Sequence, residues 1–226
     1  MKSYKIFLFL PFLLFSSCLF SNYDVNDTII PLKNFYPTAN GDTIVEHTYY
    51  TISYSFKNKN PEWTIYEYNN VDLNIERNHT FSEDPKIKNT ATNKDYLKSN
   101  YDRGHLVPAE DMDFNEKAMD ESFYLSNISP QNPNFNRGIW KKLENYVRHL
   151  GKTKELIVIS GSLISKTSKT IGNGVKIPSH FYKIIYIKNT NETICFLIPN
   201  SNVNESLGNY TIKLSELEKK TSIDFK

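Results

Sequence analysis

The chain is short of cysteine, of excess charge of either sign and of long apolar runs, and each shortage excludes something. It has 2 cysteines in 226 residues. Cys18 closes an N-terminal leader, so Cys195 alone remains in the body of the chain. No intrachain disulfide can form there, and stability must come from the core. Neither sign of charge dominates: 27 Lys+Arg face 25 Asp+Glu, a formal charge of +2. That excludes a histone-like polycation and an acidic tail protein, but leaves room for a local basic groove. No apolar run is long enough to span a bilayer, and there is no internal repeat or low-complexity block. What remains is an ordinary globular mix, 39% hydrophobic and 14% aromatic, of a size that suits one domain.

The first eighteen residues read as an address. Lys2 and Lys5 form a charged start, and Ile6 to Phe15 is apolar apart from Pro11. Ser16, Ser17 and Cys18 follow, in the pattern of a signal peptide. Removing Lys2 and Lys5 leaves 25 basic against 25 acidic residues. Phe15-Ser-Ser-Cys18 resembles the lipobox of bacterial lipoproteins, with Phe15 where Leu is usual. A lipid anchor at Cys18 and simple cleavage nearby both stay open. The expected location is outside the cytoplasm: secreted, periplasmic or membrane-anchored. The expected organisation is a signal segment over 1–18, a linker or arm over 19–45 and one domain over 46–226.

Within the domain, apolar spacing predicts strands at Glu46 to Phe56, Trp63 to Tyr68, Glu155 to Ser160, Phe181 to Ile187 and Thr193 to Ile198. Pro61 reads as a breaker. Residues 76–100 are polar and read as loop. A short helix is expected at Asp113 to Ser122 and another at Ser215 to Lys220. The clearest helix runs from Asn136 to Leu150, with Ile139, Leu143, Val147 and Leu150 at helical spacing and Gly151 as its stop. The fold class is α+β, with a largely antiparallel sheet and a few helices. Cys195, inside Ile194 to Ile198, reads as a buried small hydrophobe.

The chemistry concentrates between residues 101 and 148. In Asp102-Arg-Gly-His105, Arg103 and His105 share one face of an extended chain. A histidine can take a proton from water at neutral pH, and an arginine can hold a phosphate bidentately. Gly104 between them would let a bulky ligand approach. Asn127, Gln131 and Asn136 cluster in a turn-rich stretch ahead of the helix. Asn136, Trp140, Glu144 and Arg148 recur every four residues, which puts Glu144 about two turns from Asn136. One amide and one carboxylate suffice for Mg²⁺, which keeps several of its waters. Taken singly, Asn136 also reads as a helix N-cap and Glu144 with Arg148 as a surface ion pair. Trp140 reads as core, and Lys141, Lys142 and Lys152 as a solvated helix face. His47, His79, His149 and His180 show no zinc spacing and read as structural.

DRGH followed by Leu125-Ser-Asn-Ile-Ser-Pro-Gln131 and Asn136-Arg-Gly-Ile-Trp-Lys-Lys-Leu-Glu144 resembles the DNA/RNA non-specific endonucleases. The likeness runs from about Glu46 to Phe225 and includes Ile177 to Lys183 and Phe196 to Asn200. It implies the ββα-metal nuclease fold and a Mg²⁺-dependent, sugar-non-specific endonuclease that leaves 5′-phosphates, with Mn²⁺ as an alternative metal. His105 matches the general base, Asn136 the one side chain bound to metal, and Glu144 the carboxylate that hydrogen-bonds the metal's waters. Arg103 and Arg148 match arginines near the scissile phosphate, Asn127 and Gln131 supporting amides, and Asp102 a structural or orienting aspartate. DNA and RNA are the expected partners; a homodimer stays open and no protein partner is deducible. Ser162 and Ser222 depart from the family pattern, at positions where proline and glycine are common. Rival readings are a silent nucleic-acid-binding protein, a surface adhesion protein, and an enzyme acting on another phosphodiester.

Overall fold

The computed structural model of the protein describes residues 31–38, 41–71, 73, 75–77 and 80–225. The expected signal segment, Cys18 with its lipid anchor, and His79 lie outside the described residues. A six-stranded, wholly antiparallel sheet forms the centre, ordered β1 (Thr43–Glu46), β2 (Tyr50–Ser55), β3 (Asn60–Glu67), β6 (Leu156–Leu163), β9 (His180–Ile187) and β10 (Glu192–Pro199). Both of its faces are buried, which is why β6 and β9 read as near-continuous apolar runs. Side chains alternate along each strand. Leu156, Val158, Phe181 and Ile185 go to one core layer, and Ile157, Ile159, Tyr182 and Ile184 to the other.

Helix α3 (Lys141–Gly151) covers the first face with Leu143 and Val147, and α4 (Leu214–Thr221) helps cover the second with Leu217. Cys195 is buried in that second layer, where burial pushes its thiol up to about 11. These two layers do the work that a disulfide cannot do here. Each fully buried Leu, Ile, Val or Phe stabilises by about 1.5–3 kcal/mol.

The structure departs from the sequence reading in instructive places. The strand expected over Glu46 to Phe56 is two, turning at His47–Tyr49. The sheet therefore begins at Thr43, inside the stretch read as linker or arm. In that stretch Tyr36 also bonds Thr51 (Oη to Oγ1, 2.7 Å), and Thr38 accepts from Asp224 N at its Oγ1 (2.8 Å). Pro61 does not break β3 but sits within it. It pairs with Tyr54 beside a bulge at Ser53/Tyr54, outside the β3–β6 ladder, where a missing N–H costs nothing. The polar stretch 76–100 holds one short helix, α1 (Asn93–Tyr96). Helix α2 (Glu116–Ser122) starts where Asn115 accepts from Lys117 N and Ala118 N.

Two small sheets escape the sequence reading: β4 (Asp102–His105) with β5 (Ile128–Gln131), and β7 (Thr170–Ile171) with β8 (Val175–Lys176). β5 leads through Asn132 and Pro133 into a π-helical turn, Phe135–Trp140, that runs directly into α3. The Asn132 carboxamide caps this helix by accepting from Asn134 N (2.9 Å) and Phe135 N (3.4 Å), with Pro133 at the first helical position. The cap is thus Asn132, leaving the Asn136 amide for other work. Asn200 pins the junction: its Oδ1 accepts from Asn132 N (2.7 Å), and its Nδ2 donates to Pro130 O and Pro178 O.

Ser162 continues β6 opposite Phe181, so proline's absence is absorbed by the ladder. Ser222 ends α4 in the left-handed region, with φ 58° and ψ 28°. Glycine takes that position without a Cβ penalty. Ser222→Gly should therefore raise stability by up to about 1 kcal/mol in urea unfolding; an unchanged or lower midpoint would refute this reading of the turn.

Candidate active site

β4, β5 and the π-turn into α3 converge on an open cavity of ≈270 Å³ lined by Arg103, His105, Asn136 and Glu144 together with Arg77, Phe81, Glu110, Arg137 and Lys141. The pairing of β4 with β5 sets the first wall. Asp102 faces Gln131, and His105 faces Ile128. Gly104 is required here, but its neighbour is the protein itself. A Cβ at Gly104 would lie 2.1 Å from the Gln131 side chain, which crosses the strand at that point. The expectation that Gly104 makes room for a bulky ligand is corrected accordingly.

His105 is 9% exposed and wedged between Phe81 (ring centroids 5.4 Å) and Phe123 (4.9 Å, edge-on). Among the described residues its Nε2 meets no hydrogen-bond partner. Burial, and then the nearby Arg77 charge, lowers its pKa from 6.5 to about 3. The imidazole is therefore neutral at neutral pH, the form a proton acceptor needs.

Asp102 organises the opposite wall. It accepts from Asn136 Nδ2 (2.9 Å) and, in a fork, from Arg137 Nε (2.9 Å) and Nη2 (2.7 Å). A carboxylate can only accept, so it fixes the Asn136 amide with nitrogen inward and leaves Oδ1 for a ligand. Glu144 follows on α3, half-buried at the cavity wall. Burial raises its carboxyl from 4.5 to about 7, against the pull of Lys183, with Asp111 adding to the rise.

Two expected site residues stand elsewhere. Asn127 is fully buried and does not line the cavity. Its Oδ1 accepts from Val107 N (2.9 Å), while its Nδ2 donates to Val107 O (2.9 Å) and Ser122 O (2.8 Å). It clamps the chain just after His105 with both amide N–H donors spent on the backbone, so the supporting amide expected at the site holds the chain behind it instead. Arg148 lies one helical turn beyond Glu144 and is not among the residues lining the cavity. It is taken by Asp111 (2.7 Å), Glu110 (2.8 Å) and the Asn145 amide (2.6 Å). Its charge compensates these acids, so an arginine beside the scissile phosphate is corrected to a structural counter-ion. Neither is Arg148 in a surface pair with Glu144.

The sequence reading had missed Arg77, Arg137 and Lys141 at the cavity, and the buried Asp111 and Lys183 behind it. Arg137 adjoins Asn136, and Lys183 interrupts an apolar strand; both were signals in the sequence. Arg77 lies in a loop without pattern and gave none. A larger cavity of ≈810 Å³ lies beyond the other end of α3, but its histidine, His47, is already 3.1 Å from the Asp84 carboxylate. Among the described residues no cluster of three or more His, Cys, Asp or Glu is placed to hold a metal, and no helix is long and apolar enough to cross a membrane.

Residues 31–226 match the DNA/RNA non-specific endonuclease family. The chain belongs to that family. It is 34% identical to mitochondrial nuclease EXOG of Xenopus laevis, over 86% of this chain and 61% of that protein. Mitochondrial endonuclease G of Bos taurus is 29% identical, over 78% of this chain and 66% of that protein. The chain thus spans about three-fifths to two-thirds of these relatives' lengths. The solved structure described as the EndoG/EndoGI complex superposes with a TM-score of 0.78 at 28% identity, covering 86% of this chain and 89% of that one. The fold is that of the ββα-metal nucleases: β4, β5 and α3 are the two strands and the helix.

The relatives correct one expectation. The relatives EXOG and endonuclease G are mitochondrial by name, which points to that organelle rather than to a secreted, periplasmic or lipid-anchored protein. A basic start followed by a short apolar run marks a chain as addressed, while the compartment is decided by the machinery that reads it.

Two outcomes test this geometry. Asn127→Ala leaves the Val107 and Ser122 backbone groups buried without partners, each costing about 1–3 kcal/mol. It should lower unfolding stability by several kcal/mol, and a variant as stable as the wild type would refute the clamp. The Glu144 side-chain carboxyl, followed by ¹³C NMR with EDTA present, should titrate near 7: ionised above that pH, protonated below. A midpoint near 4.5 would show that burial does not govern it.

Proposed function

We propose that the protein is a Mg²⁺-dependent endonuclease that hydrolyses phosphodiester bonds of both DNA and RNA and leaves 5′-phosphate ends. The observation that carries this reading is the convergence of three groups on one cavity. These are a neutral His105 ring whose Nε2 has no hydrogen-bond partner among the described residues, an Asn136 amide whose nitrogen is held by Asp102, and the Glu144 carboxylate.

His105 is the general base. Its Nε2 takes a proton from water, the water oxygen bonds to phosphorus, and the bond from phosphorus to the 3′ oxygen breaks, with a solvent proton completing the alcohol. Phe81 and Phe123 hold the ring in place and keep it dry. The donor set fits a hard divalent cation, Mg²⁺ or alternatively Mn²⁺, because amide and carboxylate oxygens suit it and it needs few protein ligands. Asn136 would hold the ion directly and Glu144 through its waters. Bound there, the ion supplies positive charge to offset what builds up on the phosphate. Arg77, Arg103, Arg137 and Lys141 stand around the same cavity against the carboxylates of Glu110 and Glu144, so the lining is net positive and suits a polyanion. Among the described residues the cavity lining offers phosphate-binding side chains, and contacts to phosphate carry no sequence information, which favours broad substrates.

Purified protein should degrade supercoiled plasmid and total RNA with Mg²⁺ and neither with EDTA. His105→Ala should lose about 10²–10⁴-fold in rate, the worth of general-base catalysis. Full activity in that variant would overturn the site, and intact nucleic acid in every reaction of the folded wild type would overturn the function.

A further inference from the structure

Arg103 differs from the other arginines at or behind the site in how it is held. Arg137 and Arg148 are paired with carboxylates at 2.7 Å, and Arg77 lies 3.9 Å from Glu110. Among the described residues no carboxylate pairs with Arg103. Its guanidinium lies over the Phe81 ring, 4.7 Å from the centroid, and its Nη1 donates to Asn93 Oδ1 at 2.9 Å. Asn93 uses its other amide end as well: Nδ2 donates to Phe81 O at 2.8 Å. One neutral side chain therefore ties the arginine and the residue beneath it into a single unit.

The mount of Asn93 is itself fixed. Asn93 is the first residue of α1, preceded by Thr92, whose N and Oγ1 both donate to Asp95 Oδ2 (2.7 and 2.9 Å). Asp95 Oδ1 accepts from Asn173 N (2.6 Å) in the β7–β8 turn, and Gly172 approaches so closely that a Cβ there would lie 2.3 Å from the Asp95 backbone. This short helix is thus strapped to a hairpin, and it presents Asn93 from a rigid base.

We propose that Asn93 is a positioning residue for the substrate phosphate: it orders Arg103 at the cavity without neutralising it. The inference rests on the nuclease reading above. An exposed arginine must give up rotamer freedom when it binds a phosphate, and a side chain already ordered loses less on binding. A carboxylate in place of Asn93 would order the guanidinium equally well but cancel the charge the phosphate needs. The amide occupies one of the five N–H donors and leaves four. The three-part arrangement of Phe81, Asn93 and Arg103 also explains why a four-residue helix in a polar loop is held so firmly.

The test is a double-mutant cycle on a DNA duplex with Mg²⁺, comparing wild type, Asn93→Ala, Arg103→Ala and the double variant. Asn93→Ala should raise KM about three- to tenfold, the scale of one lost hydrogen bond, with kcat within about twofold. The double variant should match Arg103→Ala alone, because Asn93 acts only through the arginine. Asn93→Asp should bind no better than Asn93→Ala. Asn93 is exposed, so the melting temperature should stay within a few degrees. An unchanged KM in Asn93→Ala, an equal further loss on top of Arg103→Ala, or tighter binding by Asn93→Asp would each overturn the inference while leaving an active nuclease. A folded wild type that cuts no nucleic acid would instead overturn the nuclease reading, and this inference with it.

Discussion

The site depends on one carboxylate. Asp102 stands at the start of β4, paired across from Gln131, and its two oxygens collect Asn136 and Arg137 from the π-turn. These bonds join a strand and a helix that share little else polar at that point. Hydrogen bonds to a charged group are worth about 1.5–3 kcal/mol each, enough to hold one amide orientation against its flip. That orientation matters to the proposed function, because nitrogen held by Asp102 leaves the amide oxygen free for a ligand. The aspartate holds no role in the proposed proton transfer, yet the geometry of its neighbours follows from it.

Behind this wall the protein sinks charges that water would hold more cheaply. Asp111 and Lys183 are buried, Glu144 is half-buried at the cavity wall, and Arg148 is mostly covered. Burial lowers the Lys183 pKa and raises those of Glu144 and Asp111, so these three charged forms are disfavoured by their surroundings, while the acids around Arg148 favour its charge. Lys183 is compensated by Ser160 Oγ at 2.7 Å and by the Trp140 ring at 4.7 Å; Asp111 is compensated by Arg148 and the Tyr66 hydroxyl. Buried ion networks of this kind rarely add stability over an apolar core. Their presence under α3 is intelligible as the cost of keeping an ionisable carboxylate in a low-dielectric site, where perturbed groups cluster.

Much of this was legible in the sequence, for reasons that can be named. β6, β9 and β10 are buried on both faces and announce themselves as apolar runs. The 3.6-residue spacing of Ile139, Leu143 and Val147 marks α3 because that stripe packs on the sheet. DRGH and N-x-x-x-W-x-x-x-E carried the site because their residue types are uncommon together. What escaped was structure made by contact between distant segments. β4 and β5 contain glycine, proline and polar residues, and their pairing is invisible to local propensity. Arg148 was misread because spacing shows that it follows Glu144 by one turn, but not that Asp111, 37 positions earlier in the chain, already claims it. Asn127 looked like a supporting amide of the site, and only the fold reveals that Val107 and Ser122 hold it.

The π-turn settles a discrepancy in the helical arithmetic. Along a regular α-helix each residue advances about 100°, so eight residues carry Glu144 about 80° past Asn136. Two side chains so far apart on a cylinder would not share a small cavity. Residues Phe135–Trp140 are instead π-helical, with i→i+5 bonding, more residues per turn and less rotation per residue. The deficit accumulates between Asn136 and Glu144 and swings them toward one line. Both then reach the same cavity while Trp140, Leu143 and Val147 stay in the core. Such a turn is costlier than regular helix and is seen mostly at functional sites. Here its position explains its retention: it falls on the residues whose relative rotation the site requires, and the regular helix resumes as soon as that requirement is met.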